Sequence, residues 1–369
     1  MRRLIRILKY VGAAAIGLIL ILVPLSLSYR AYRQHRIAEG REIRSSDGID
    51  SLESVRIGGI DQWIHVRGQH VNNPILLFIH GGPGIAFIPM AGTFQGPWER
   101  HFTVVQWDQR GAGKTYARND RELQRRTMSV PRMEQDALEV VNYLRQRFKR
   151  DKIVVLGHSW GSVLGLWLAH EHPGIIDAYV GVAQLVNATL NEKTAYEDAL
   201  EMARTRHRVE AIRDLEGIQP YPPPGVDLRK GSIAQTWQAE LLGPPADRSF
   251  LNMRRILSTL LTAPEYSLAD VYGFTRAQLF SLDVMIPQMQ KIDVATLGTD
   301  FRVPIFFFQG RLDPYTRPAL IAKYADTITA PRRELVWFEE AGHFPFFEDQ
   351  ERFTDELLRR VLPLAGHRP

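Results

Sequence analysis

A serine between two glycines, Ser159 in "GHSWGS" (157–162), stands between a short apolar run and an apolar stretch with helical character. In a strand-to-helix corner of the type G-x-S-x-G, the serine hydroxyl is exposed on a strained turn and can attack a carbonyl carbon. A corner that needs small residues only in order to turn would have the same pattern. A nucleophilic serine also needs a base, a carboxylate that orients the base, and N–H donors for the oxyanion.

Candidates for the base and the carboxylate follow Ser159 in the chain. Asp313 stands in "GRLD" after the apolar run "VPIFFF", and His343 stands in "EEAGHFP" after "ELVWFE". Of the eleven histidines, His343 is the one in the last quarter of the predicted folded domain that follows a predicted strand. Parallel sheets form their sites at the carboxyl ends of strands, where all three residues are expected. We therefore interpret Ser159 as the nucleophile, His343 as the base and Asp313 as the orienting acid.

The segment "HGGPG" (80–84) follows the apolar run "PILLFI", where a loop that donates to an oxyanion is expected. Pro83 has no N–H, so the donor is Gly81 or Gly82. We favour Gly82, together with the N–H of Trp160. A plain glycine turn is the alternative.

The segment "DQRGAGKT" (108–115) ends like a phosphate-binding P-loop. That motif needs a glycine where this chain has Asp108, so the P-loop interpretation fails. We expect a tight loop after a strand, in which Asp108 and Arg110 pair.

Short apolar runs alternate with stretches of helical periodicity on both sides of Ser159. Runs such as "PILLFIH" and "FTVVQWD" are typical of covered central strands, and 129–148 has apolar residues at helical spacing. This alternation predicts a mostly parallel sheet with helices on both faces. It stops at 187–300, which is helical in character, and resumes at 303. We therefore predict a core formed by 51–186 and 301–369, with 187–300 inserted as a helical cap.

The N-terminus has an apolar stretch from Tyr10 to Leu27 with basic residues on both sides. This length can span a membrane, whereas the apolar core of a signal peptide is usually shorter. We predict a single transmembrane anchor over 1–28 and a polar linker over 29–50. A cleaved signal peptide and a buried core helix are the alternatives. Because long domains translocate regardless of their charge, the catalytic domain is expected outside the cytoplasm.

Composition limits the remaining possibilities. The chain has no cysteine, which excludes disulfides, thiolate metal sites and cysteine nucleophiles. The formal net charge is +5, but residues 1–44 hold nine Lys and Arg against two Glu. The remainder is close to neutral, so we expect no nucleic-acid partner.

The motifs "HGGPG", "DQRGAGKT", "GHSWGS", "GRLD" and "GHFP" occur in this order over about residues 50–365. In this combination the chain resembles the prolyl aminopeptidase (proline iminopeptidase) branch of the α/β-hydrolases. The resemblance implies an α/β-hydrolase fold with a lid, a Ser159–His343–Asp313 triad, and neither a metal nor an organic cofactor. Two departures concern the substrate: Gln238 follows Trp237 where these aminopeptidases have an amine-binding glutamate, and the apolar N-terminus is foreign to the soluble enzymes.

The combined expectation is a membrane-anchored serine hydrolase that works through an acyl-enzyme on a short peptide or another small molecule. An aminopeptidase comes first. An esterase, lactonase or amidase with an apolar substrate is the alternative, and a binding module without catalysis is a third possibility. An aminopeptidase needs a carboxylate for the substrate ammonium, and the candidates in the cap are Glu201 and Glu240.

Overall fold

The centre of the computed structural model, which describes residues 2–245, 249–250 and 252–366, is an eight-stranded sheet. Its strands are β1 (Ile49–Ile57), β2 (Ile60–Gly68), β3 (Ile75–Ile79), β4 (Thr103–Asp108), β5 (Ile153–His158), β6 (Ile176–Val182), β7 (Ile305–Gly310) and β8 (Arg333–Phe338). The spatial order is β1-β2-β4-β3-β5-β6-β7-β8. β2 pairs antiparallel with β1 and β4, and the other pairs are parallel. The predicted mostly parallel sheet is therefore present.

Helices cover the sheet and extend beyond it at the N-terminus and between β6 and β7. In the described residues they are α1 (Arg2–Gly40), α2 (Ile88–Ala91), α3 (Gly113–Arg118), α4 (Arg121–Thr127), α5 (Val130–Phe148), α6 (Trp160–Glu171), α7 (Ala188–Thr205), α8 (Val209–Glu216), α9 (Leu228–Leu242), α10 (Met253–Thr262), α11 (Leu268–Met289), α12 (Pro318–Thr327), α13 (Pro345–Glu348) and α14 (Gln350–Arg360). Short 3₁₀ turns lie at Trp98–Arg100, Pro173–Ile175, Val294–Leu297 and Leu362–Leu364.

The central strands are buried on both faces because successive side chains point to opposite sides of a sheet. Leu77 of β3 packs in one apolar cluster with α5, α6 and α12. Its neighbours Leu76 and Phe78 pack in a second cluster with α2, α13 and α14. These strands therefore have continuous apolar sequences rather than alternating ones.

The segment between β6 and β7 contains α7 to α11. α7, α8 and α9 have a small apolar cluster of their own, which includes Tyr196, Leu200 and Leu215. α10 and α11 instead contribute Leu260 and Phe274 to the cluster on one face of the main sheet. This inserted segment therefore both builds its own core and packs on the sheet.

The N-terminal helix α1 is longer than the predicted anchor. The stretch expected to be a polar linker stays helical as far as Gly40. Residues 29–39 contain neither glycine nor proline and include good helix formers, so nothing ends the helix before that glycine. In the described part of the chain, one helical stretch, Ile7–Gly40, is long and apolar enough to cross a membrane.

The loop after β4 differs from the predicted pairing of Asp108 with Arg110. The Arg110 guanidinium donates to the Asp136 carboxylate at 2.8 Å, and both side chains are fully buried. Asp108 accepts from the Tyr266 hydroxyl at 2.6 Å and from the Lys114 N–H at 2.8 Å. The expected pair is wrong because each residue has a partner that lies far away in the sequence.

Candidate active site

Ser159 occupies a sharp corner between β5 and α6. Its φ is 53° and its ψ is −120°, a conformation that costs a non-glycine residue on the order of 1–3 kcal/mol. The flanking glycines are needed for close packing: a Cβ on Gly157 would lie 2.5 Å from the Gly161 carbonyl oxygen, and one on Gly161 would lie 2.1 Å from that of Ile79. The Ser159 N–H donates to the Val182 carbonyl at 3.0 Å. The corner thus holds Ser159 in a strained geometry, as a nucleophile elbow requires.

Asp313 lies in the loop after β7 and its side chain is fully buried. Its carboxylate accepts the N–H groups of Tyr315 and Thr316 at 2.8 and 2.9 Å, the Thr316 hydroxyl at 2.5 Å and the Gln309 amide at 3.1 Å. His343 Nδ1 lies 2.9 Å from Oδ2 and 3.0 Å from Oδ1. Burial raises the pKa of Asp313, but His343 and the hydrogen bonds from Thr316 outweigh it and lower the pKa overall. The carboxylate is therefore ionised at neutral pH.

The backbone around His343 is held by Glu348 and by His158 at the end of β5. The N–H groups of Gly342 and Phe344 donate to one oxygen of Glu348 at 2.7 and 3.2 Å. The ring of His158 lies 2.9 Å, through Nε2, from the His343 carbonyl oxygen, so His158 Nε2 carries the proton. Because the Asp313 carboxylate only accepts, His343 carries its proton on Nδ1 and its Nε2 can act as a base.

The three candidate residues are positioned by neighbouring elements. The ring centroids of His158 and His343 are 4.8 Å apart, and Ser159 follows His158 directly in the chain. The structure therefore brings Asp313 and His343 into contact and Ser159 next to the residue that packs on His343. Among the described residues the Ser159 hydroxyl has no hydrogen-bond partner. In enzymes without substrate, the hydrogen bond between a nucleophile and its base is often long, and it shortens only when substrate binds.

The expected oxyanion donors belong to two segments next to Ser159, the start of α6 and the "HGGPG" loop. Trp160 is the first residue of α6, where a backbone N–H has no acceptor within the helix. In the loop, a Cβ on Gly81 would lie 2.9 Å from Ser159 Cβ. Within the described residues, the N–H of Gly82, the next residue, donates to no protein group. Both predicted donor positions therefore have an unused N–H.

The two carboxylates expected to recognise the substrate ammonium, Glu201 and Glu240, are on the surface of the cap. Glu201 is exposed on α7, and Glu240 on α9 pairs with Arg208 and remains half exposed. No hydrogen bond or ion pair joins either of them to the residues around Ser159 within the described part of the chain. Gln238, which stands where an amine-binding glutamate was sought, is buried.

A different carboxylate, Glu192 in the second turn of α7, directly follows a residue that contacts the loop of Asp313. The side chain of its neighbour Asn191 donates to the Tyr315 carbonyl and accepts the Arg317 N–H at 2.8 Å. The Tyr315 ring packs edge-on against His343, with centroids 5.2 Å apart. The sequence contains one signal for the start of α7, the helix that carries Glu192: Asn187 is a typical helix-capping residue and follows the apolar stretch of β6.

Glu192 is half buried, and its carboxylate accepts the Tyr221 hydroxyl at 2.7 Å. Burial raises the pKa of Glu192, and the hydrogen bond from Tyr221 opposes this increase. The ionised form of a half-buried carboxylate with few hydrogen-bond donors would be stabilised by a nearby ammonium group. This is the kind of environment that amine recognition requires.

Comparisons with known proteins agree with the fold. Residues 74–211 match a family model described as the alpha/beta hydrolase fold. A "Probable aminopeptidase YbaC" from Bacillus subtilis (strain 168) is 27% identical over 319 residues, which cover 86% of this chain and 98% of that protein. A "Proline iminopeptidase" from Heyndrickxia coagulans is 22% identical over 288 residues, with 75% and 87% covered.

Two solved structures add to this likeness. Proline iminopeptidase from Mycobacterium smegmatis superimposes with a TM-score of 0.62 at 18% identity, over 85% of this chain and 98% of that one. A membrane phospholipase A superimposes with a TM-score of 0.57 at 17% identity, over 99% of both chains. At these identities the structures support the fold alone. The α/β-hydrolase fold is confirmed, and so is the similarity to proteins named aminopeptidases and proline iminopeptidases.

Proposed function

We propose that this chain, a hydrolase of the α/β-hydrolase superfamily, is a membrane-anchored serine aminopeptidase that removes N-terminal residues from short peptides. The observation that carries the serine mechanism is the contact between His343 Nδ1 and the Asp313 carboxylate beside the strained Ser159. A histidine in this tautomer directs its free Nε2 away from the acid, as a base for a serine hydroxyl must.

In the proposed reaction, His343 Nε2 takes the proton from the Ser159 hydroxyl as the oxygen bonds to the substrate carbonyl carbon. The N–H groups of Gly82 and Trp160 stabilise the oxyanion. When the C–N bond breaks, the leaving amine takes the proton from His343. Water then attacks the acyl-enzyme, with His343 again as the base, and Ser159 is regenerated.

The choice of an aminopeptidase rests on the similarity to proteins with that name and on a half-buried cap carboxylate, Glu192, next to a residue that contacts the Asp313 loop. Glu201 and Glu240 were expected to bind the substrate ammonium, but exposure and the pairing of Glu240 with Arg208 make them poor ligands. Glu192 is less exposed and follows the residue that contacts the Tyr315 loop. We propose that Glu192 pairs with the substrate ammonium.

Glu192→Gln is expected to lower kcat/KM on free-amine substrates roughly 10²-fold, because a desolvated ammonium would lose its counter-charge. Activity on a neutral ester of the same acyl group should barely change. The measurement compares both substrates for the wild type, Glu192→Gln, and the matched variants Glu201→Gln and Glu240→Gln. A selective loss in one of the matched variants instead would assign the ammonium to that carboxylate.

A second candidate is an esterase, lactonase or amidase with an apolar substrate. It is favoured by the buried Gln238 at the position where an amine-binding glutamate was sought. The substrate comparison separates the two functions. If the wild type prefers N-acetylated or simple ester substrates to the matching free amines, the second candidate replaces the aminopeptidase.

The membrane anchor is supported by the exposure of α1. Its apolar residues, such as Leu20 and Ile21, are exposed in the absence of a bilayer. A buried core helix, one of the two alternatives, would instead cover these side chains. We propose that α1 crosses the membrane once and stays attached to the mature protein.

A topology reporter tests this orientation. Alkaline phosphatase fused after Pro369 should be active, because the N-terminus is expected inside and the catalytic domain outside the cytoplasm. A green fluorescent protein fused at the same position should then be dark after export in unfolded form. The reverse pattern would place the catalytic domain in the cytoplasm. Loss of residues 1–28 from the mature chain, read by mass spectrometry, would indicate a cleaved signal peptide instead.

A further inference from the structure

Two consecutive cap helices expose rows of large apolar side chains. Because residues four apart lie on one side of a helix, each helix presents its apolar residues as a stripe. On α10, Leu260 and Ile256 pack towards the core, so the exposed row lies on a different side. We call the exposed side chains of the two helices the cap face: Met253, Leu257, Leu261, Leu268, Tyr272 and Leu279.

The cap face begins where α1 leaves the body of the protein. Arg30 of α1 donates to the Leu261 carbonyl at 2.8 Å and to the Tyr266 carbonyl at 2.6 Å. Gln34, one turn later, donates to the Ala263 carbonyl at 2.6 Å. The apolar part of α1 precedes Arg30, so a membrane around it would start close to the end of α10. The α10 row then extends about 12 Å from that point, at a rise of 1.5 Å per residue.

The exposed charged side chains within 252–280 are arginines. Arg254 and Arg276 lie on the two helices of the cap face, and Arg255 is also exposed but packs over the Phe347 ring. The carboxylates of this stretch have partners: Glu265 pairs with Arg41, and Asp270 pairs with Lys114 and Arg118. Apolar side chains with arginines beside them are typical of helices that lie in the interface of an anionic bilayer.

We propose that the cap face rests on the surface of the anionic bilayer in which α1 is inserted. This inference depends on the membrane anchoring proposed above. The bilayer is favoured over a second protein because the cap face is continuous with α1 and its exposed charges match anionic headgroups. One side of α11 would then face lipid, while another packs on the "HGGPG" loop: a Cβ on Gly84 would lie 2.8 Å from the Ala277 carbonyl oxygen.

The absence of cysteine from the chain permits a direct test, because a single introduced cysteine is the only site for a thiol-reactive dye. Full-length Leu257→Cys and Leu279→Cys carry an environment-sensitive NBD dye on the cap face. Val209→Cys on α8, which is 76% exposed, is the matched control on the cap. Leu20→Cys reports insertion of α1. Each protein is reconstituted into phosphatidylcholine–phosphatidylglycerol vesicles with or without lipid carrying a quencher on its acyl chain.

We expect blue-shifted emission and at least about two-fold quenching at 257 and 279, as for side chains that reach the acyl boundary, but neither at 209. Replacing phosphatidylglycerol by neutral lipid should reduce the quenching at 257 and 279 and leave that at 20 unchanged.

Quenching at 20 without quenching at 257 and 279 would retain the anchor and overturn the cap-face proposal. A blue shift at 257 and 279 without quenching by lipid would mean that a second copy of the chain covers the face, which also overturns the proposal. If the protein does not float with vesicles, both the anchor and the cap-face proposal are refuted. If it floats but position 20 is not quenched, the anchor alone is refuted. Quenching at 257 and 279 would then still support a surface contact made by the cap alone.

Discussion

Ser159→Ala is expected to lower turnover roughly 10⁶-fold, a loss of about 8 kcal/mol of transition-state stabilisation. The methyl group cannot form the acyl-enzyme, and the base then has no nucleophile to activate. The residual rate would come from substrate binding and from the N–H donors at Gly82 and Trp160. The measurement is kcat on a free-amine peptide substrate and on the matched ester.

Two comparisons separate this loss from a folding defect. The Ser159 hydroxyl makes no hydrogen bond to a described residue, so its removal should leave the unfolding temperature nearly unchanged. His343→Ala should cause a similar loss, and the double variant should be little worse than either single one, because the residues act as a unit. If Ser159→Ala keeps more than about a tenth of the activity, the serine mechanism is wrong.

Local sequence was sufficient to predict the sheet and the positions of the candidate triad. β3, β4 and β5 have the continuous apolar sequences of strands that are covered on both faces. Ser159 and Asp313 follow such runs, β5 and β7, whereas His343 follows the partly exposed edge strand β8. The contact between Asp313 and His343 follows from two adjacent parallel strands, β7 and β8, which end at the same edge of the sheet. Their catalytic roles stay predictions.

Contacts between distant segments could not be predicted in this way. Arg110 pairs with Asp136 on α5, and Asp108 with Tyr266 of the cap, although the two residues are close neighbours in the chain. Each pair depends on how helices pack on the sheet, and hydrophobic periodicity does not specify that packing. The nearest opposite charge in the sequence is therefore a poor guide to the partner of a buried ion.

The cap was the least predictable region for the same reason. Glu201 and Glu240 were selected from their positions in the sequence, and the structure leaves both exposed. Nothing in the sequence around Glu192 distinguished it from the other acidic residues of the cap. Its importance rests on the docking of the first turn of α7 against the Tyr315 loop, a contact between residues more than a hundred positions apart.

The second large effect concerns the carboxylate that orients the base. In the structure, Asp313 Oδ2 faces three donors: the Thr316 hydroxyl, the Gln309 amide and His343 Nδ1. Oδ1 accepts the N–H groups of Tyr315 and Thr316. These backbone donors would select the oxygen of an asparagine at this position. Its NH₂ group would then point at the three remaining donors.

Asp313→Asn is therefore expected to lower kcat roughly 10⁴-fold, with a much smaller change in KM. The asparagine NH₂ would face His343 Nδ1 at the position of Oδ2 and favour the tautomer that carries its proton on Nε2, in which the ring cannot take a proton from Ser159. Thr316→Val is the matched control, because it removes one hydrogen bond from the same carboxylate but leaves the charge and the tautomer in place. Its kcat should fall far less. If Asp313→Asn keeps more than about a hundredth of the activity while Thr316→Val loses as much, Asp313 supports the loop and does not set the tautomer of His343.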